Sequence, residues 1–197
     1  MLKSKLPAII AIALLLNIAV GGYLFFRAMN PVKAAFGAIS PEHFNTTLTD
    51  SSAKPFSFSQ LKGKVWVIDF IFTTCGSICP IMTQNLSGVY KAYRDYPQLH
   101  FVSVSVNPEF DTPEILSKYA KKYRVDTARW HFLTGPREVI QNLAVSAFKI
   151  GSVKEPMFHS ASFILVDKNG AIRGYYEGTN AMSVQTLIND LAVLLRS

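Results

Sequence analysis

The longest apolar block comes first. Pro7 to Phe26 runs for 20 residues with one strongly polar interruption, Asn17, and carries Gly21-Gly22 near its end. As a helix rising about 1.5 Å per residue, such a run spans a hydrocarbon core of roughly 30 Å. Lys3 and Lys5 precede it, which predicts a cytoplasmic N-terminus over residues 1–6 and an exported remainder. A cleaved signal peptide competes, because Ala34-Ala35 could follow a processing site. The apolar part of such a peptide, however, runs only about 7–15 residues. The expectation is a single uncleaved transmembrane helix over 7–27, a linker over 28–43 with Pro31, Gly37 and Pro41, and one folded domain over 44–197.

Within that domain the pattern alternates between strand and helix periods. Phe44 to Thr49 and Pro55 to Leu61 read as two short strands around the turn Asp50-Ser51-Ser52-Ala53-Lys54. Val65 to Phe72 is apolar except for Asp69 and reads as a buried strand. Ile81, Leu86, Val89 and Tyr93 form a helical stripe that ends before Tyr96-Pro97. Leu99 to Val106 is a second core strand, and Asp111-Thr112-Pro113-Glu114 opens a helix to about Tyr123. Trp130 to Leu133 is a short strand, and Gly135-Pro136 opens a helix to about Phe148. Ser162 to Asp167 and Ile172 to Glu177 form a hairpin through Lys168-Asn169-Gly170, and Met182 to Leu195 is a closing amphipathic helix. This order predicts an α/β sandwich with a mixed central sheet flanked by helices.

Charge changes the picture little. The chain carries a formal +7, but Lys3, Lys5, Arg27 and Lys33 precede the first acid, Glu42, and the rest of the chain holds sixteen basic and thirteen acidic residues. That is no nucleic-acid footprint. The cluster Lys121, Lys122, Arg124 and Arg129 reads as a solvated helix end, with a docking patch as the alternative.

The candidate chemistry sits in Thr74-Cys75-Gly76-Ser77-Ile78-Cys79-Pro80, which holds both cysteines of the chain. A strand leads into it and a helix comes after, with Pro80 suited to the first helical turn. Thiols there sit in the positive end of the helix dipole, which lowers their pKa and favours thiolate. Thiolates exchange with disulfides and bind soft metals, and the spacing alone leaves both open. Outside the cytoplasm, a disulfide between them can form and persist.

A strand, a CxxxCP loop and a helix, followed by β-α-β-β-α, resemble the thioredoxin fold. From Phe44 to Leu195 the chain resembles the Sco/SenC family, membrane-anchored copper proteins tied to cytochrome c oxidase assembly. The resemblance is carried by Leu48-Thr49-Asp50, Leu61-Lys62-Gly63-Lys64, Cys75-x-x-x-Cys79-Pro80, Val102-Ser103-Val104, Pro108-Glu109, Asp111-Thr112-Pro113-Glu114 and Phe158-His159-Ser160. It implies that Cys75, Cys79 and His159 hold one copper ion per chain, a donor set whose softness suits Cu(I). It also implies a partner in the copper-site subunit of the oxidase or another copper or thiol protein. For His159 the plainer alternative is a structural histidine at a strand start; His100 and His131 read as structural, and His43 as part of the linker. Gly76-Ser77 stands where the family often has Pro-Asp, Phe158 where it often has Asp, and Asn107 where it favours Asp. A less anionic site should weaken Cu(II) relative to Cu(I).

The rival reading is a membrane-anchored thiol–disulfide oxidoreductase, with Cys75 and Cys79 as the redox pair. Asp69 supports it, lying six positions before Cys75, the spacing at which thioredoxins carry a buried proton-accepting carboxylate. Alternatively Asp69 reaches the sheet end and caps backbone or pairs with a lysine. Against the rival, Phe158-His159-Ser160-Ala161 stands where such oxidoreductases place a substrate-docking cis-proline, and Pro156 lies too early.

Overall fold

The computed structural model describes residues 15–18, 20–22, 35–151 and 161–196. The chain divides into two compact units, Met1–Val32 and Lys33–Ser197. In the first, residues 15–18 and 20–22 are helical. Most of the apolar run expected to cross the membrane lies outside the described residues; among those described, no helix is long and apolar enough to do so.

The second unit is built on a seven-stranded sheet. Its strands are β1 (Thr47–Asp50), β2 (Pro55–Ser57), β3 (Val65–Ile71), β4 (Leu99–Ser105), β5 (Trp130–Thr134), β6 (Ser162–Val166) and β7 (Ile172–Glu177), in the order β2-β1-β5-β4-β3-β6-β7. The centre, β3–β4–β5, is parallel, and the remaining pairings are antiparallel. The mixed sheet expected from the sequence is therefore present. The helices are a single turn, α1 (Pro41–Phe44), then α2 (Ile78–Ala92), α3 (Pro113–Tyr123), α4 (Arg137–Asn142) and α5 (Ala181–Leu194). A 3-10 turn covers Phe58–Leu61, and α4 runs on into a π-helical turn, Leu143–Ala147.

Both faces of β3 are buried, so its period-two alternation divides one strand between two cores. Val65, Val67 and Ile71 pack with Met82, Leu86 and Val89 of α2, Leu116 and Ala120 of α3, and Leu187 and Leu191 of α5. Trp66, Ile68 and Phe70 face the opposite core, with Phe58, Leu143 and Phe148. Asp69 falls in register with Val67 and Ile71, on the face covered by α2 and α3.

Three local expectations are revised. The segment read as strand from Phe44 is a helical turn before β1 begins at Thr47, because Pro41 opens a turn that Asn45 N–H closes onto Pro41 O. The segment read as strand from Pro55 leaves the sheet at Phe58, where Ser57 Oγ accepts from Ser59 N–H and starts the 3-10 turn. Finally, part of the segment expected to be linker packs on the sheet. Ala38 bridges Ala171, Ile39 and His43 are buried, and Ser40 Oγ lies 2.6 Å from His43 Nδ1.

Candidate functional site

Cys75 sits in the loop after β3, and Cys79 in the first turn of α2. Both are buried free thiols. At the start of α2, Ser77 occupies the N-cap without making a side-chain capping bond. Cys79 N–H instead donates to Cys75 Sγ at 3.4 Å, so the first sulfur satisfies a helix donor that would otherwise lack a partner. Ser77 Oγ stands 3.8 Å from the same sulfur. Phe72 joins the two cysteines from below: its carbonyl accepts Cys75 N–H at 3.1 Å, and its N–H donates to the Cys79 sulfur.

This arrangement separates the two thiols. Burial pushes Cys75 up, but the N–H groups of Cys79 and Ser77, the Cys79 thiol and the Ser77 hydroxyl all donate to its sulfur and hold it at about 7. Cys79 is pushed up to about 12, by burial above all; the Phe72 N–H opposes this, and the Cys75 sulfur and Asp69 carboxylate add to it. Of the two thiols expected to be lowered, only Cys75 is, through hydrogen bonds to its sulfur. Cys79 is the more deeply enclosed, and its negative charge would sit beside another.

Asp69 is fully buried, and burial raises its carboxyl to about 7 against the Ser103 hydroxyl, which donates at 2.6 Å, and the residue's own backbone N–H. Trp130 Nε1 in turn donates to Ser103 Oγ at 2.9 Å. Asp69 Oδ2 has no hydrogen-bond partner among the described residues. The alternative that Asp69 caps backbone at the sheet end or pairs with a lysine is overturned, because the residue lies mid-strand beneath the helices.

The hydrophobic pattern does not mark the part that Asp111 and Thr73 play at the site. The helix expected from Asp111-Thr112-Pro113-Glu114 forms as α3, with Thr112 as its cap accepting from Ile115 N–H, which leaves the Asp111 side chain to another task. Asp111 is itself completely buried. Its Oδ2 accepts Thr73 N–H at 3.0 Å and the Ser105 hydroxyl at 2.5 Å, and its Oδ1 accepts the Thr73 hydroxyl. A threonine two residues before Cys75, with an aspartate just ahead of a helix already capped by threonine, was the available signal.

His159, together with Pro156 and Phe158, lies outside the described residues, so the described structure brings together two of the three expected ligands. Among the described residues no group of three or more His, Cys, Asp or Glu side chains is arranged to hold a metal ion. His100 and His131 lie at the far end of β4 and β5. Their ring planes are inclined by 5°, with His100 Nδ1 3.2 Å from His131 Nε2. The Pro97 carbonyl also accepts from the His100 ring. Burial foremost lowers both to about 4, with Lys64 and Arg129 also acting on His100, and His100 and Lys64 on His131. Of the basic cluster, Arg129 serves the fold: it donates to Tyr93 O and Tyr96 O and lies over the Tyr90 ring.

A family model described as SCO1/SenC matches residues 37–196. The chain belongs to the SCO1/SenC family. It is 35% identical over 152 residues to the SCO1 protein homolog of Bacillus subtilis, covering 74% of this chain and 78% of that protein. Among solved structures, it resembles BsSco, a member of the Sco family of cytochrome c oxidase assembly proteins in which a disulfide switch was identified. That match has 31% identity and a TM-score of 0.72, over 85% of this chain and 99% of the other. The copper-bound ScoI of Bradyrhizobium japonicum matches with a TM-score of 0.62 over 82% of this chain and 99% of that one; at 23% identity, this is a likeness of fold. In this Sco chain, the thioredoxin-like sheet thus presents the cysteine pair at the end of its central parallel strands.

Proposed function

We propose that this chain is a membrane-anchored copper-binding protein that assists assembly of the copper centre of cytochrome c oxidase, with Cys75, Cys79 and His159 holding one copper ion. The observation that carries the reading is the meeting of two buried sulfurs at the start of α2, one of which already draws donors as a thiolate would. Two thiolates and an imidazole form a soft donor set suited to Cu(I), and neither cysteine has another covalent partner. Copper is the cargo, and the chain's contribution is a buried sulfur pair held by the Phe72 backbone. The test is anaerobic Cu(I) titration of the reduced chain against a competing chelator. Uptake of one equivalent supports the reading; no uptake against a moderate chelator defeats it.

The asymmetry of the thiols favours a second reading, a thiol–disulfide oxidoreductase. Cys75, at about 7, is suited to attack a disulfide sulfur, releasing one substrate thiolate; Cys79 would then attack the Cys75 sulfur, closing the internal disulfide and releasing the second substrate thiol. Catalytic reduction of a disulfide substrate without copper uptake would establish it. In both readings, residues 1–6 stay in the cytoplasm, the run Pro7 to Phe26 is the anchor, and the Sco domain works outside the cytoplasm, where its partner is the oxidase copper-site subunit or another copper or thiol protein.

A further inference from the structure

We infer that Asp111 is a positioning residue for the cysteine pair, acting through Thr73. The inference rests on the reading of Cys75 and Cys79 as the working site. A carboxylate completely removed from water needs several donors to remain there. Asp111 takes its donors from two strand ends: Ser105 at the end of β4, and the backbone and side chain of Thr73 just past β3. Asn107 N–H donates to Ser105 Oγ at 3.0 Å, and Asp111 N–H donates to Asn107 O at 2.9 Å, so the β4–α3 loop folds around the same carboxylate.

What this clamp holds is the segment between the strand and the thiols. Thr73 directly follows Phe72, whose N–H reaches the Cys79 sulfur and whose carbonyl reaches Cys75 N–H. With Thr73 locked on both its N–H and its hydroxyl, Phe72 cannot turn without breaking the clamp. The two sulfurs therefore keep their unequal surroundings, Cys75 receiving the helix donors and Cys79 staying enclosed. Asp111 touches neither sulfur and does not react; it sets where the loop stands.

The test uses the full-length reduced chain in detergent. Iodoacetamide labelling of Cys75 and Cys79 is followed separately by mass spectrometry at pH 7, and the dithiol–disulfide equilibrium is measured against a dithiothreitol buffer. Thr73→Val removes the hydroxyl donor at nearly constant volume, and Asp111→Asn removes an acceptor at constant size. Each should narrow the Cys75 to Cys79 labelling ratio by about threefold to tenfold and displace the equilibrium toward disulfide by up to tenfold, about 30 mV for a two-electron couple. Thr73→Ser, which keeps the hydroxyl, should restore wild-type values. Thermal unfolding is recorded in parallel. If the Val and Asn variants lose stability while ratio and equilibrium stay unchanged, or if Thr73→Ser behaves like Thr73→Val, the positioning role is wrong. None of these readouts needs copper, so failure of the copper titration leaves this test intact.

Discussion

Ser103 donates its hydroxyl to Asp69 Oδ1 at 2.6 Å where β3 and β4 pair the two residues in register. That bond is the main support for a carboxyl group buried beneath the helices, and among the described residues Oδ2 has no partner. The group therefore keeps its proton into the neutral range.

Stability should accordingly depend on pH. The Asp69 carboxyl is raised from 3.8 to about 7 by burial, so between these values the folded chain holds a proton that the unfolded chain has released. Its contribution is fully present below the unfolded value and is lost as pH rises through the folded one. Urea unfolding should show a decline on the order of 2–4 kcal/mol from pH 4 to pH 7, and Asp69→Asn, which cannot ionise, should flatten it. An unchanged slope in the variant would assign the decline elsewhere.

The same carboxylate acts on Cys79, so the two thiols should titrate far apart. Alkylation of the reduced chain should rise through a midpoint near pH 7 at Cys75, held at about 7. Cys79, at about 12, should stay unlabelled through pH 10. Equal labelling of both residues at pH 8 would contradict the hydrogen bonding described at α2.

Copper uptake should depend on oxidation state. A Cys75–Cys79 disulfide consumes both thiolates, so the oxidised chain should take up no Cu(I) at the pair. Cys75→Ser or Cys79→Ser should abolish tight binding. His159→Ala should retain Cu(I) on two thiolates and lose most Cu(II) affinity, since Cu(II) favours nitrogen and more ligands. Metal-to-protein ratios and competition titrations measure all three effects.

Stability on the other side of the sheet should be separable from the thiols. Phe148 is fully buried against Trp66 and Phe70, with ring centroids 5.8 and 5.9 Å away. Phe148→Ala should cost about 3–5 kcal/mol in urea unfolding. Native-state Cys75 labelling should be unaffected, because Phe148 belongs to the core away from α2.

The N-terminal run should act as an anchor. Carbonate washing should leave the chain in the membrane, and a reporter fused after Ser197 should be active only outside the cytoplasm. Release of a chain beginning near Ala35 would show a cleaved leader instead.

By itself the sequence determined the strand–helix order, the mixed sheet and the place of the two cysteines at a helix start. These are written in local signals: apolar runs of strand length, the 3.6-residue stripe of α2, the helix start Asp111-Thr112-Pro113-Glu114, and the turn before β7. Only the tertiary structure decided the chemistry of each thiol, since the Asp69 charge and the Phe72 N–H that act on Cys79 come from outside its helix. The same holds for Asp111, which reads as a helix-start residue and becomes a clamp because chain reversal brings Thr73, 38 residues away, against it. Burial, charge proximity and hydrogen-bond partnership depend on distance in space. A sequence records them only where the partners are also neighbours along the chain.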